Sequence, residues 1–305
     1  MRREFEKELR QVLPEERIHC KEPMKEHTTF RVGGEAEYFL VPSAKEEIEA
    51  LIRLCKTYQL PYLIMGNGSN LLVGDKGFEG VILRLGKEFG KIEVDRGQRR
   101  MRAQAGALLA RIAQEAAENS LSGLVFAAGI PGSLGGAVAM NAGAYGGEIC
   151  QAVESVHILT ACGEQKILTN QEMEFGYRHS VVQEQGCIVL SVDFKLEDGE
   201  REELLAKMRD LSARRKEKQP LEYASAGSTF KRPEGHYAGK LIMEAGLSGY
   251  RVGGAQVSEK HCGFIVNTGD ATAADVVAVM RHVQKIVMEK HGVMLEPEVR
   301  LAGRF

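Results

Sequence analysis

Between Gly129 and Gly147 the chain reads GIPGSLGGAVAMNAGAYGG, seven glycines in nineteen residues and no charged side chain. Average usage would place only about one or two glycines there. Glycine gives up more conformational freedom on folding than any other residue, so it accumulates where backbone must turn sharply or let another group come close. The uncharged run extends from Asn119 to Gly147, long enough to raise the question of a membrane span. Asn119, Ser120, Ser122, Pro131, Ser133 and Asn141, with the glycines, argue against a lipid-facing helix. The composition fits a backbone shaped around a large bound group, so a cofactor is expected and a membrane is not.

The 305 residues, 44% hydrophobic and 27% charged, suffice for a substantial core in two or three domains. A formal net charge of −2 gives no reason to expect a nucleic-acid surface. The basic run Arg214-Arg215-Lys216-Glu217-Lys218 reads as a solvated helix end before Pro220. Six scattered cysteines form no C-x-x-C pair, so neither a metal site nor a disulfide framework is expected. The opening MRREFEKELRQVLPEE has no apolar core of a signal peptide, and a reducing cytoplasm is the expected setting.

Periodicity predicts an amphipathic helix over residues 1–20, with Phe5, Leu9 and Val12 on one face. Ser43 and Glu46 match a capping box ahead of a helix whose face is Ile48, Leu51, Ile52 and Cys55. Strands are predicted over 61–65, 81–85, 153–160 and 188–196; in the last, Ile188, Leu190, Val192, Phe194 and Leu196 alternate cleanly. The charged segment 87–102 reads as a connection, and Leu108, Leu109, Ile112, Ala113 and Ala116 as a helix entering the glycine block. The last hundred residues predict a charged helix over 200–218, short strands around Tyr250 and Phe264, and a long helix opened by Thr272 and Asp275. Helices and strands mix without βαβ regularity, so the fold class is α+β.

Gly66-Asn67-Gly68-Ser69-Asn70 follows a predicted strand, where backbone amides could cradle a phosphate. Leu71 stands where a Rossmann fingerprint needs its third glycine, and Gly80 to Gly86-Lys87 misses Walker spacing by one residue. Two glycine loops, G-x-G-S-N and G-x-P-G-S-x-G-G, suit a dinucleotide lying extended across a crevice. A third loop, Ser225-Ala226-Gly227-Ser228-Thr229-Phe230, offers a serine that could be nucleophile, proton donor or turn residue; G-x-S-x-G is not matched. Tyr177-Arg178-His179-Ser180 and Leu295-Glu296-Pro297-Glu298-Val299-Arg300 each allow a surface salt bridge. They equally allow Arg178 as a carboxylate clamp and Glu298 as a proton-handling partner of Ser228.

In this order the chain carries TTFRVGG (28–34), GNGSNLLV (66–73), AGIPGSLGGAVAMNAGAYGGEI (128–149), YRHS (177–180), SAGSTFKRP (225–233), AGKLIMEAGLSGYRVGGAQVSEKHCGFIVN (238–267) and LEPEV (295–299). The ordered set resembles the UDP-N-acetylenolpyruvoylglucosamine reductases (UDP-N-acetylmuramate dehydrogenases) of peptidoglycan precursor synthesis, in their shorter subtype. Each motif alone is weak; the series, spanning nearly the whole chain, is specific. Ala224 departs from the proline common in the family before the serine-glycine loop.

The resemblance implies an FAD-binding domain of the vanillyl-alcohol-oxidase type over 1–199, with subdomains at about 21–86 and 87–199, and a substrate-binding domain over 200–305. It implies non-covalent FAD held by Gly66, Asn67, Gly68, Ser69, Asn70, Gly129, Ser133, Gly136, Asn141 and Gly143. Arg178, Ser228 and Glu298 would be catalytic, and Tyr177, Lys231, His261 and Arg300 substrate neighbours. The family reaction passes hydride from NADPH to flavin N5 and on to the enolpyruvyl carbon. Arg178 and a Glu298 kept neutral by burial would stabilise the enediolate, and Ser228 would donate the proton. Two other readings stay open: an oxidase on the same fold that uses O₂, disfavoured by the lack of a tethering His or Cys in the FAD loops, and a nucleotide sensor with a decayed site.

Overall fold

Buried apolar side chains collect into two separate cores, each belonging to one of two compact units. The computed structural model describes residues 2–305. One unit draws on residues up to His19, on Tyr38–Asn67 and on Gly80–Arg214; the other on Cys20–Glu37, Gly68–Glu79 and Arg215–Phe305. The mixture of helices and antiparallel and parallel strands is the expected α+β class.

In the first unit the N-terminal helix is Arg2–Val12, burying Phe5 and Leu9. It is shorter than the predicted 1–20: Pro14 lacks an N–H and disfavours helical geometry at Leu13, and Ile18–Pro23 is a strand. Phe5 meets Tyr38 and Tyr58 edge-on, with ring centroids 5.1 and 5.6 Å apart. The next helix, Lys45–Thr57, buries Ile48, Leu51, Ile52, Leu54 and Cys55. Its capping acid is Glu47, one residue after the predicted Glu46, because the helix begins at Lys45. The Glu47 carboxylate accepts from the amides of Ser43 (2.7 Å) and Ala44 (3.3 Å).

Strand Tyr62–Met65 pairs in parallel with Phe78–Arg84, and the crossover between them begins with the Gly66 loop. A five-stranded antiparallel sheet follows in the order Gln165–Thr169, Val153–Leu159, Ile188–Lys195, Arg100–Gln104, Ile92–Asp95. The alternation of 188–196 is realised: Ile188, Leu190, Val192, Phe194 and Leu196 are all buried. The segment 87–102, read as a connection, supplies the strand Ile92–Asp95 and the start of Arg100–Gln104. On the outer face Asp193 accepts a fork from Arg102 (2.6 and 2.9 Å), bonds Ser155 (3.1 Å) and pairs with His157 (2.9 Å). Burial would raise its carboxyl, yet these partners hold it down to about 2.

The second unit holds a three-stranded antiparallel sheet, Arg251–Val252, Ala255–Val257 and Ile265–Asn267. The long helix Ala273–His291 covers its own core with Val276, Val279, Val283 and Val287. Thr272 and Asp275 form the predicted capping box, Thr272 Oγ1 accepting from the Asp275 amide at 3.1 Å and Asp275 Oδ2 from the Thr272 amide at 3.0 Å. A second cap comes from far away in sequence. Asp75 Oδ1 accepts from the amide of Ala273 (2.7 Å), and Oδ2 from that of Ala274 (2.9 Å). Leu71–Val73 pairs in parallel with Arg300–Ala302. Among the described residues no helix is long and apolar enough to cross a membrane.

Two amide donors and the positive helix end both favour the Asp75 carboxylate. Asp75→Ala is expected to lower unfolding stability by about 1–2 kcal/mol, measured by urea denaturation, with Asp75→Asn intermediate. Equal midpoints for wild type and Asp75→Ala would remove the cap from the account.

Candidate active site

In the first unit, strand Tyr62–Met65 ends at Gly66, and the chain there touches the glycine block. A Cβ on Gly66 would lie 1.8 Å from Ser133 Oγ, so only glycine lets the two loops meet. Asn67 reinforces the junction by donating Nδ2–H to the Pro131 carbonyl at 2.6 Å. Ser133 is buried and precedes the helix Leu134–Ala139. The first amides of that helix are spent, Leu134 N on the Ala107 carbonyl (2.9 Å) and Gly135 N on that of Ala105 (2.8 Å). Gly136 lies exposed within it, and Gly129 closes the short 3₁₀ turn Val125–Gly129.

Asn141 is buried with φ of 42°, and its side chain is fully committed. Nδ2 donates to Glu148 (3.0 Å) and to the Gly176 carbonyl (3.1 Å), while Oδ1 accepts from the Cys150 amide (3.2 Å). Gly143 pairs with Glu148 in a two-residue ladder. Asn141 thus ties the glycine block to the turn that carries Arg178. Gly176 and His179 exchange backbone hydrogen bonds of 3.1 and 3.2 Å, placing Tyr177 and Arg178 at the tip. Arg178 takes φ of 55°, a left-handed conformation uncommon for a side-chain-bearing residue. Its guanidinium carbon is 5.0 Å from the centre of the Tyr177 ring. Below the tip, buried Ser180 anchors the turn through a 2.8 Å bond to the Ala139 carbonyl.

In the second unit the serine loop and the LEPEV segment are locked together through Thr229, which has no exposed surface. Its amide donates to the Gly263 carbonyl (2.9 Å) and its carbonyl accepts from the Glu298 amide (2.8 Å). Its Oγ1 accepts from the Ile265 amide at 3.0 Å. Ser228, next in the chain, is exposed and bridges Phe264 through backbone. Lys231 donates its amide to the Glu296 carbonyl (2.8 Å) and pairs its ammonium with the Glu296 carboxylate (3.2 Å). Asn70 gives its side-chain amide to the Glu298 carbonyl (2.9 Å) and accepts from the Arg300 amide (3.0 Å). Buried Gly68 accepts from the Thr29 amide at 3.2 Å, with half-buried Ser69 beside it.

His261 joins the same cluster. Burial lowers its pKa, and Nδ1 accepts the Gly263 amide at 3.1 Å. Both facts describe a neutral ring with its proton on Nε2, a donor without charge.

Ser228, Lys231, His261, Glu298, Arg300 and Gly68–Asn70 are therefore gathered within one unit, and Gly66, Asn67, Ser133, Asn141, Gly143 and Arg178 within the other. Sequence reasoning missed Thr229, whose position beside Ser228 was the only signal. It also missed three cations, Arg84, Lys87 and Arg111, that line a cavity with Gly66, Asn67 and Ser133. The clue was Gly86 flanked by basic residues, set aside as a failed Walker loop. For a dinucleotide the fit is favourable: glycine-lined backbone, a contact at Gly66 that tolerates no side chain, and cations beside it.

Comparison with known proteins shows the family. Residues 36–169 match the FAD binding domain family, and residues 219–302 match the C-terminal domain of UDP-N-acetylenolpyruvoylglucosamine reductase. The chain is 52% identical over 315 residues to the UDP-N-acetylenolpyruvoylglucosamine reductase of Agathobacter rectalis, covering 100% of both. With that of Lachnoclostridium phytofermentans it is 52% identical over 299 residues, covering 97% of this chain and 96% of the other. The crystal structure of the UDP-N-acetylenolpyruvylglucosamine reductase from Thermus caldophilus superposes with a TM-score of 0.79 at 39% identity, covering 93% of this chain and 98% of that one. Likeness to an alkyldihydroxyacetonephosphate synthase, at 18% identity and a TM-score of 0.50, extends to the fold alone.

The Gly66–Ser133 contact makes a coupled prediction. Gly66→Ala is expected to weaken FAD binding at least about tenfold, because loop separation costs more than 1.4 kcal/mol. Adding Ser133→Gly removes the clashing side chain and should recover part of the loss. Titration by flavin fluorescence reads both; a double variant no better than Gly66→Ala would refute the contact as the cause.

Proposed function

We infer the reaction from the family: the chain belongs to the UDP-N-acetylenolpyruvoylglucosamine reductases, and we propose that it reduces UDP-N-acetylenolpyruvoylglucosamine to UDP-N-acetylmuramate with NADPH. It is an FAD-dependent oxidoreductase. We assign cofactor binding to residues 1–199 and substrate binding to 200–305, and the reaction to the cytoplasmic assembly of peptidoglycan precursors.

Bound FAD supplies the two-electron relay between NADPH and the terminal alkene carbon of the enolpyruvyl group. The work of the protein lies in the charge that then builds on the neighbouring carbon and spreads into the carboxylate. Arg178 offers a planar fork to the two carboxylate oxygens. Glu298 in its neutral form donates a hydrogen bond to the same group, and Ser228 delivers the proton to the carbon. The observation that carries this reading is the Thr229 lock, which holds the Ser228 and Glu298 segments in one fixed register.

Tyr177, Lys231, His261 and Arg300 are proposed as substrate contacts. His261 would serve as an uncharged donor through Nε2. Lys231 shares its charge with Glu296 across an exposed pair of 3.2 Å, which costs little to separate when a phosphate competes. Among the proposed cofactor residues, Asn67, Asn70 and Asn141 have their side-chain amides engaged within the protein. Their role is to set the backbone of their loops, while Gly66, Gly68, Ser69, Gly129, Ser133, Gly136 and Gly143 provide the close approach.

Anaerobic spectroscopy separates the two half-reactions. NADPH should bleach the flavin band and UDP-N-acetylenolpyruvoylglucosamine should restore it; restoration by O₂ alone would indicate an oxidase. Ser228→Ala should bleach normally but recover about 10²–10⁴-fold more slowly with the enolpyruvyl sugar. Recovery at the wild-type rate would exclude Ser228 as the acid. Glu298→Gln should lose much less than Glu298→Ala if a neutral hydrogen-bond donor is what the site needs.

A further inference from the structure

A short hairpin closes the glycine block and brings a carboxylate back to Asn141. Tyr145 and Gly146 take φ of 53° and 84°, the two left-handed positions of a two-residue hairpin turn. Gly147 and Glu148 then pair with Ala144 and Gly143. A Cβ on Gly143 would lie 2.9 Å from Glu148 Cγ, so the Glu148 stem crosses a position that must carry no side chain. A Cβ on Gly147 would lie 2.6 Å from the Phe126 ring, so the hairpin rests directly on Phe126. Half-buried Glu148 thereby reaches buried Asn141, seven residues earlier. Its Oε2 accepts from Asn141 Nδ2 at 3.0 Å and from the Cys150 thiol at 3.6 Å.

The Asn141 amide has one way round among these neighbours. Nδ2 faces two acceptors, the Glu148 carboxylate and the Gly176 carbonyl, while Oδ1 faces the Cys150 amide. Turning it over would set oxygen against oxygen twice. The Gly176 carbonyl also accepts the His179 amide, at 3.2 Å, so Asn141 holds the same oxygen that closes the Arg178 turn. Only Glu148 among these partners offers a carboxylate, and bonds to an ionised acceptor are about twice as strong as those between neutral groups. Without Glu148, one buried Nδ2 hydrogen loses its acceptor and the amide is free to turn away from Gly176.

We propose that Glu148 is a positioning residue for the reduction step: it orients Asn141, and through Asn141 it sets the turn that aims Arg178. This role rests on Arg178 being the clamp for the enolpyruvyl carboxylate. Glu148, Asn141, Gly176 and Arg178 all belong to one compact unit. What Glu148 supplies is an acceptor oxygen at a fixed reach. Glutamine keeps both the oxygen and the reach, whereas aspartate keeps the charge on a stem one methylene shorter.

The test is anaerobic stopped-flow spectroscopy of the FAD-loaded full chain, with NADPH for flavin reduction and UDP-N-acetylenolpyruvoylglucosamine for reoxidation. Glu148→Ala and Glu148→Asp should reduce at the wild-type rate but reoxidise at least about tenfold more slowly. Glu148→Gln should stay within about threefold of wild type in both steps. On an Arg178→Ala background, Glu148→Ala should slow reoxidation no further. Apart from turnover, amide hydrogen exchange across 176–183 should quicken in Glu148→Ala and match wild type in Glu148→Gln. Wild-type reoxidation in both Glu148→Ala and Glu148→Asp, or a full further loss on the Arg178→Ala background, would overturn the proposal. So would equal slowing of both half-reactions, which marks a general defect of the fold. Wild-type reoxidation in Arg178→Ala itself would overturn the clamp reading beneath it, and the proposal with it.

Discussion

Thr229 is a small residue with a large share of the second unit resting on it. Its amide and hydroxyl hold one segment, at Gly263 and Ile265, and its carbonyl holds another, at Glu298. With no exposure to water, none of these bonds has a solvent substitute, so losing one leaves an unpaired polar group inside. That makes the register between the serine loop and LEPEV nearly all-or-none. A shift of one residue between them would break the Glu298–Thr229 and Lys231–Glu296 backbone bonds together, at about 1–3 kcal/mol for each polar group left buried and unpaired. The flanking Ser228, proposed as the proton donor, inherits this rigidity without taking part in it, which suits that role, where placement matters on the scale of a hydrogen bond.

The first unit uses an amide where the second uses a threonine. Asn141 spends both side-chain ends on holding the glycine block against the Arg178 turn. Strained conformations sit at either side of that link, Asn141 at φ 42° and Tyr145 at φ 53° in the glycine block, Glu174 at φ 47° and Arg178 at φ 55° at the turn. Strain of this kind persists only when the surroundings over-determine it. Ser180, fully buried under the turn, is part of that determination. Glycine-rich sequence is intrinsically loose. Here it is made rigid by a few fully used polar side chains, so that backbone can be both closely approachable and fixed.

Elements whose partners are close in sequence were legible. The Thr272–Asp275 box and the alternation of Ile188 to Leu196 need only local periodicity, and both appear where expected. Strands Ile92–Asp95 and Arg100–Gln104 were not, because Glu93, Asp95, Arg100 and Arg102 face water and dominate the segment, while half-buried Ile92 and Val94 and buried Met101 and Ala103 form its inner face. Charge there belongs to the outer surface of a sheet, with Arg102 answering Asp193 across the strands. The candidate site was legible as motifs but not as geometry. Ser228, Arg178 and Glu298 announce themselves by context, whereas Thr229 and Asp75 act only through neighbours that are distant along the chain.

Distance along the chain also decides what the C-terminal segment can do alone. Its core includes Phe30, Val32 and Leu72, all fully or nearly fully buried, beside Val276, Val279 and Val283. Its longest helix takes one cap from Thr272 and another from Asp75, nearly two hundred positions earlier. Its strand Arg300–Ala302 has Leu71–Val73 as its partner. Residues 215–305 therefore lack, by themselves, three large core side chains, a helix cap and a strand neighbour. Each missing apolar side chain is worth about 1.5–3 kcal/mol of burial, and together they rival the whole stability of a typical domain. The segment that carries Ser228 and Glu298 thus depends for its fold on residues 20–37 and 68–79, and the Gly68–Asn70 loop is held in the same compact unit as those two residues because that unit cannot be completed without it.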